Sequence, residues 1–423
     1  MQRRDNGGDF VENLLEQALA DARLSPADRG LCQELVYGVV RWQATLDHLI
    51  ASKTPGRVQK PALQNLLRLG LYQIFWLDRI PNHAAVHETV EQAKQAGFGP
   101  QAGFVNAVLR GFLREFEATK QLLAELKQAQ PHVGYSQPEW LLARWQKRWG
   151  AEKTVQLLEW NNTPPKTFAR VNTLKFAAGA ARPASVGDLI EQWRDENVDY
   201  DFVRRDWLDE NLVFELKAHP PLAKLPSFQQ GLFYIQDPST LLAVGELDPQ
   251  PGETILDLCA APGGKTTYIA AHLQHQGKII AHDNAPERLK LIEENCARLG
   301  VTCVETTSHS QFANSTFDRI LIDAPCSNTG VLRRRVDLRW RIRAEEIARL
   351  RSTQLDLLRQ AAPLLKPGGV LVYSTCSLEL EENHEVIEQF LGEQPGFTLE
   401  RKRELLPFAD EVDGAFVARL LKR

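Results

Sequence analysis

The chain has 423 residues, a formal charge of −4 at neutral pH, and apolar and charged shares of 43% and 25%. That length exceeds one ordinary core and implies two or three domains, while the composition is that of a soluble globular protein. The slight acidity excludes a uniformly basic nucleic-acid binder, so any grip on RNA must come from a local patch.

Residues 1–130 read as a helical bundle. The start, Met1 to Asp9, holds no secretory apolar region, and no run along the chain is long enough to span a membrane, so a cytoplasmic location is expected. Ser25-Pro26-Ala27-Asp28 carries the chemistry of a helix start: Ser25 to cap, Pro26 preset for the first turn, Asp28 favourable against the dipole. Apolar residues then recur at helical spacing in Leu31, Leu35, Val36, Val39 and Val40, and again from Leu63 to Ile74. His83 and His87 stand four apart, but without the glutamate of a zinc-protease helix they read as surface or packing residues, and no metal is expected.

From 131 to 227 the pattern changes to a small α/β unit. Pro138 to Trp145 opens a short helix, Pro164-Pro165 breaks it, and Thr167 to Leu174 reads as a strand. Trp145, Arg148 and Trp149 interleave in a way that suits either base stacking or packing, with packing favoured.

Residues 228–423 alternate strands and helices as a doubly wound sheet does. A first strand ends in Leu256-Asp257-Leu258, passes through Cys259-Ala260-Ala261-Pro262-Gly263-Gly264-Lys265-Thr266-Thr267 and opens onto a helix from Tyr268 to Leu273. Such a loop at a strand's carboxyl end is where these sheets hold a ligand. A phosphate-cradling loop needs glycine where Cys259 stands, and the dinucleotide fingerprint is missing. The next strand, Gly277 to Asp283, ends in a carboxylate placed to take the hydroxyls of a ribose. Together these favour a nucleoside cofactor without a pyrophosphate. A loop at Thr306-Thr307-Ser308, a strand from Phe317 to Ile322, a helix from Glu345 to Leu365 stopped by Lys366-Pro367-Gly368-Gly369, and a strand from Val370 to Tyr373 complete the reading. The six cysteines form no Cys-x-x-Cys pair, so neither a disulfide framework nor a zinc ribbon is indicated.

The stretch Asp257 to Thr267, with Asp323-Ala324-Pro325-Cys326-Ser327 and Ser374-Thr375-Cys376-Ser377, resembles the motifs of RNA cytosine-C5 methyltransferases. Glu34 to Arg41, Leu67 to Gln73, Asp78 to Pro81 and Gly103 to Arg110 are similar to the NusB-like RNA-binding domain that precedes the methyltransferase in bacterial 16S ribosomal RNA enzymes of the Fmu (Sun, RsmB) type. Arg170-Val171-Asn172 fits the linker subdomain of that family. The resemblance implies an all-α NusB-like bundle at 1–130, a small α/β linker subdomain at 131–227 and a doubly wound, Rossmann-like class I methyltransferase domain at 228–423.

It also implies S-adenosylmethionine as methyl donor, held by Cys259, Ala260, Ala261, Pro262, Gly263, Gly264 and Lys265, by Asp283 at the ribose, and by Arg288 and Asp323. Cys376 would be the nucleophile, Cys326 would assist proton loss and release, and Asp323 would hydrogen-bond cytosine N3. Which cysteine attacks is not readable from the residues alone. The basic stretch Arg333, Arg334, Arg335 and Arg339 follows the Cys326 loop and is expected to contact RNA phosphates. Three departures from the family pattern are visible: Thr307 near the expected adenine contact, Asn328 where glycine often follows Pro-Cys-Ser, and Val336 where proline is common. The competing readings are a non-catalytic RNA-binding or assembly factor with a vestigial pocket, and a methyltransferase acting on a substrate other than RNA.

Overall fold

A computed structural model describes residues 9–20, 22–175, 185–309 and 316–423. Residues 1–8, most of the stretch in which no secretory leader was expected, lie outside the described residues. The chain divides into two compact units, one of residues 1–164 with 332–341, the other of 165–331 with 342–423.

The first unit is helical: α1 (Val11–Ala20), α2 (Pro26–Arg41), α3 (Gln43–Lys53), α4 (Pro61–Trp76), α5 (Asn82–Ala93), α6 (Ala102–Arg114), α7 (Phe116–Ala129) and α8 (Glu139–Asn162). The expected start of α2 is present, with Ser25 Oγ accepting from the Asp28 amide at 3.1 Å and Pro26 in the first turn. The apolar stripes close on a core of Val39, Leu46, Leu49, Leu67, Leu71, Val105, Leu109 and Phe112, each fully buried Leu or Phe contributing roughly 1.5–3 kcal/mol. Helix α2 approaches Tyr72 so closely that a Cβ at Gly38 would lie 2.0 Å from its ring.

The helical signal does not end at 130. Leu141, Leu142 and Trp145 are buried, and α8 runs to Asn162 within the first unit, bent where Gly150 takes φ +80°. Trp145 therefore serves a core, and Arg148 lies over the neighbouring Trp149 ring at 4.5 Å.

The second unit holds two sheets. The smaller, ordered β2-β3-β1-β4, is antiparallel and comprises β1 (Thr167–Val171), β2 (Asp199–Phe202), β3 (Val213–Ala218) and β4 (Phe233–Ile235). Helix α9 (Val186–Asp195) lays Leu189 and Trp193 on it.

Among the described residues the larger sheet has seven strands in the order β10-β11-β9-β8-β5-β6-β7. These are β5 (Thr254–Leu258), β6 (Lys278–His282), β7 (Val304–Thr307), β8 (Phe317–Asp323), β9 (Leu365–Thr375), β10 (Phe397–Leu405) and β11 (Ala415–Lys422). Strands β5 to β9 pair in parallel and β9, β11 and β10 antiparallel. Helices α10 (Gly264–Leu273), α11 (Pro286–Leu299), α12 (Ala344–Ala361) and α13 (His384–Glu393) complete the alternation. Ile255, Leu256 and Ile320 to Ile322 are fully buried because strands of a covered parallel sheet face apolar surroundings on both sides. From β5 the chain proceeds outward through β6 and β7, then returns to β8 on the other side; that reversal is where open α/β sheets bind ligands.

Three local expectations change. Helix α12 stops at Ala361 because Pro363 cannot continue it, and Lys366 to Gly369 form the irregular start of β9, opposite a register shift at Phe317/Arg319. Thr306 and Thr307 end an edge strand rather than lying in a loop. The antiparallel pair β10 and β11 carries no alternation clean enough to have been read as strands.

Candidate active site

Four strand ends meet at the reversal. Strand β5 delivers the loop from Cys259 to Lys265, in which Cys259 and Gly263 take φ +61° and +98°. A Cβ at Gly263 would press on the Ile292 backbone at 3.2 Å, so the turn admits only glycine without a shift of α11. Strand β6 delivers Asp283, whose carboxylate accepts from the amides of Ala261 at 3.3 Å and Ala285 at 3.2 Å. Arg288 donates to Asp283 at 3.2 Å and to the Ala261 carbonyl at 3.1 Å, tying the loop to that carboxylate.

Beneath the loop, Asp257 is fully buried and accepts from Thr266 Oγ1 at 2.6 Å, while its Oδ1 has no hydrogen-bond partner among the described residues. Burial pushes its pKa up to about 7. Burial, followed by the fields of Asp323, Asp283 and Asp257, pushes the Cys259 thiol up to about 12. The loop is thus lined by three carboxylates, two of them paired with Lys265 and Arg288. Carboxylates there suit a cofactor carrying a sulfonium, an α-amino group and ribose hydroxyls, so the residues fit S-adenosylmethionine.

Strand β8 ends in Asp323, and the adjacent β9 continues into Cys376. Lys265 Nζ donates to Asp323 Oδ2 at 2.7 Å, and Ser374 Oγ donates to Asp323 Oδ1 at 2.9 Å. Burial alone would lower the lysine's pKa; the attraction of Asp323 and its hydrogen bond outweigh it and hold the ammonium form. Cys326 and Cys376 bring their sulfurs to 3.4 Å. Contact with Cys376, then burial, pushes the Cys326 thiol well above its ordinary range. Spatial convergence of the two thiols with Asp323 and the loop from Cys259 to Lys265 is therefore a property of the fold.

Motif reading missed the support below the cysteines. Glu382 is fully buried and accepts from the Ser327 amide at 2.8 Å, from Ser377 Oγ at 2.5 Å, from Gln354 Nε2 at 3.1 Å and from Ser327 Oγ. One carboxylate thereby ties the residue after Cys326 to the residue after Cys376. Asn383 accepts from Thr375 Oγ1 at 2.6 Å and donates to the Ser377 carbonyl at 2.8 Å, completing the brace. Arg170 was read only as part of a linker pattern. Its buried guanidinium donates to the Gly264 carbonyl at 2.7 Å, to Gln236 at 2.6 Å and to Thr267 at 3.0 Å, holding the first turn of α10. Neither role is readable from one sequence, because a buried ion's partners are supplied by distant positions.

The remaining candidates lie elsewhere. Thr307 Oγ1 accepts from the His309 amide at 3.1 Å, and its carbonyl from the Asp283 amide at 3.3 Å, beside the end of β6. His83 and His87 line a cleft of about 500 Å³ with Arg110 and Arg114. Among the described residues no group of three or more His, Cys, Asp or Glu side chains is placed to hold a metal ion.

The arginine tract divides. Residues 332–341 belong to the helical unit, where Arg339 is fully buried and donates to the carbonyls of Asn161 at 2.9 Å and of Arg41, Ser136 and Leu332 at 3.3 Å, and to Asn162 Oδ1 at 2.9 Å. Arg333 is buried over the Trp160 ring at 4.0 Å. The expectation of four phosphate-binding arginines is corrected accordingly: Arg333 and Arg339 are spent on packing, Arg334 is half-buried and Arg335 is exposed. Val336, where proline was expected, packs with Val11 and Val40.

A carboxylate-lined loop at the reversal point, with two thiols at the neighbouring strand ends, is the kind of site an α/β methyltransferase has. Comparison with known proteins narrows this. The model of the 16S rRNA methyltransferase RsmB/F family matches residues 244–421, the NusB family residues 1–114, and the ferredoxin-like domain of RsmF/B-like methyltransferases residues 137–197. The chain is 37% identical to a probable ribosomal RNA small subunit methyltransferase B of Bacillus subtilis, over 97% of this chain and 94% of that one. It is 38% identical to the ribosomal RNA small subunit methyltransferase B of Klebsiella pneumoniae, over 95% and 92%. A crystal structure of a methyltransferase homologue from Pyrococcus horikoshii superposes with a TM-score of 0.59 at 32% identity, covering 69% of this chain and 97% of that one. The chain belongs to the RsmB/F family of 16S rRNA methyltransferases. Its fold is accordingly a NusB-type helical domain, a ferredoxin-like subdomain and a Rossmann-like methyltransferase domain. Among the described residues no helix is long and apolar enough to cross a membrane.

Proposed function

We propose that this protein transfers a methyl group from S-adenosylmethionine to C5 of a cytosine in small-subunit ribosomal RNA, in the cytoplasm, through a covalent adduct between Cys376 and C6. The observation that carries the proposal is the pair of thiols 3.4 Å apart at the ends of adjacent parallel strands, beside the Lys265–Asp323 pair. Methylation of a substrate with a competent nucleophile of its own has no use for two converging cysteines.

Cytosine C5 is a weak nucleophile. When Cys376 Sγ bonds to C6, its thiol proton is given up to the ring at N3 and electron density passes to C5, which then attacks an electrophilic methyl group. That electrophile is what S-adenosylmethionine supplies when held by the loop from Cys259 to Lys265, with Asp283 at the ribose and Arg288 fixing the loop. Asp323, held by Lys265 Nζ and Ser374 Oγ, accepts a hydrogen bond from N3 once that nitrogen is protonated in the adduct. Cys326 assists departure of the C5 proton, after which the bond from sulfur to C6 breaks and the ring regains its double bond. The target base must leave any stacked helix to expose C6. Exposed Arg335 is the member of the basic tract best placed to meet an RNA phosphate.

The test is transfer of labelled methyl to unmodified small-subunit ribosomal RNA with nucleoside analysis, beside Cys376→Ala. Label in 5-methylcytosine, falling by at least about a thousandfold in the variant, is expected. Label in another nucleoside, or undiminished transfer by the variant, would overturn the reading.

A further inference from the structure

Asn328 stands in the Cys326 loop at φ +56°, a left-handed conformation in which asparagine is tolerated and glycine is the easier choice. Its side chain is engaged at both ends. Asn328 Nδ2 donates to the Cys326 carbonyl at 2.6 Å, and the Cys376 thiol donates to Asn328 Oδ1 at 2.9 Å. The first bond fixes the amide's orientation, because a carbonyl oxygen only accepts and must face the NH2 group. The amide oxygen is thereby turned to Cys376. An amide oxygen accepts hydrogen from a thiol and offers nothing to a thiolate.

We propose that Asn328 is a positioning residue that guards Cys376 in the RNA-free enzyme, holding it as a hydrogen-bonded thiol until a target base arrives. The proposal rests on Cys376 as the reactive sulfur. It gives a role to a side chain that the left-handed turn itself does not require. Attack on C6 requires the sulfur to exchange its bond to Asn328, so chemistry is coupled to occupancy by the base. Off-target alkylation or oxidation of the resting thiol is suppressed by the same bond.

The experiment is the rate of iodoacetamide modification of Cys376 in the RNA-free full-length protein, read by peptide mass spectrometry, in wild type and Asn328→Gly. Glycine fits the backbone, so the variant keeps its turn. Removing one hydrogen bond from the resting thiol is expected to speed modification about fivefold. Buried Cys326 is the internal control: its modification is expected to stay slow, and S-adenosylmethionine affinity to stay within about twofold. Equal or slower modification of Cys376 in the variant would overturn the proposal, as would parallel acceleration at Cys326, which signals general loosening. Methyl transfer by Cys376→Ala is measured separately. Its persistence would remove the nucleophile assignment, whereas its loss with an unchanged alkylation rate in Asn328→Gly would remove only the guard.

Discussion

Two buried ions, one in each unit, are solvated by neutral protein groups. Arg339 in the helical unit gives its hydrogens to four backbone carbonyls and one amide oxygen, and Glu382 in the catalytic unit receives an amide, two serine hydroxyls and a glutamine. Burial lowers the arginine's pKa to about 9 and raises that of the carboxylate, so each ion carries a desolvation cost that its hydrogen bonds offset. The difference lies in what the partners are. Four of the five partners of Arg339 are main-chain carbonyls of helices and turns, so the ion secures a fold. Those of Glu382 include the residues that follow the two converging cysteines, so the ion secures a geometry.

The contrast predicts different losses. Arg339→Ala leaves a set of buried oxygens without donors and is expected to destabilise the helical unit by about 3 kcal/mol or more, read as a lowered denaturation midpoint. Exposed Arg335→Ala is expected to stay within about 0.5 kcal/mol while weakening RNA binding and flattening its salt dependence. Equal stability losses from the two would break the distinction between staple and surface.

Glu382→Gln keeps the volume but removes the charge and one acceptor. Methyl transfer at saturating substrate is expected to fall roughly ten- to a hundredfold, with S-adenosylmethionine affinity within about twofold, because the contacts of Asp283 and the loop from Cys259 to Lys265 do not include Glu382. Calorimetry with turnover under saturation checks this. A matched loss of cofactor affinity would make Glu382 a general fold residue like Arg339.

The same contrast explains what was legible in the sequence. Cys326, Cys376, Asp323 and Asp283 were readable because each follows an apolar run that must be a buried strand, and strand ends in a parallel sheet converge. The strands themselves were readable wherever burial on both faces left an unbroken apolar run, and missed at the edge strands β7 and β10, whose exposed positions carry mixed polarity, and at β11 between β10 and β9. Arg339 misled because composition reports charge and says nothing of burial. The hollow that receives it is made by the carbonyl oxygens of residues 41, 136, 161 and 332, which exist in any sequence, together with Asn162 Oδ1. Glu382 had no legible function in the sequence, because Ser327, which it holds, stands 55 positions away. Asn328 was visible only as a departure from glycine, and both its left-handed turn and its contact with Cys376 needed the fold.

The measurement that bears most directly on the central claim is a denaturing gel of Cys326→Ala and of Cys326→Ala/Cys376→Ala, each incubated with substrate RNA and S-adenosylmethionine. If Cys376 bonds to C6 and Cys326 serves release, the single variant accumulates a retarded protein–RNA species whose linked peptide contains Cys376, and the double variant forms none. No retarded species from the single variant while Cys376 still reacts with iodoacetamide, or a link through any other residue, would contradict the account.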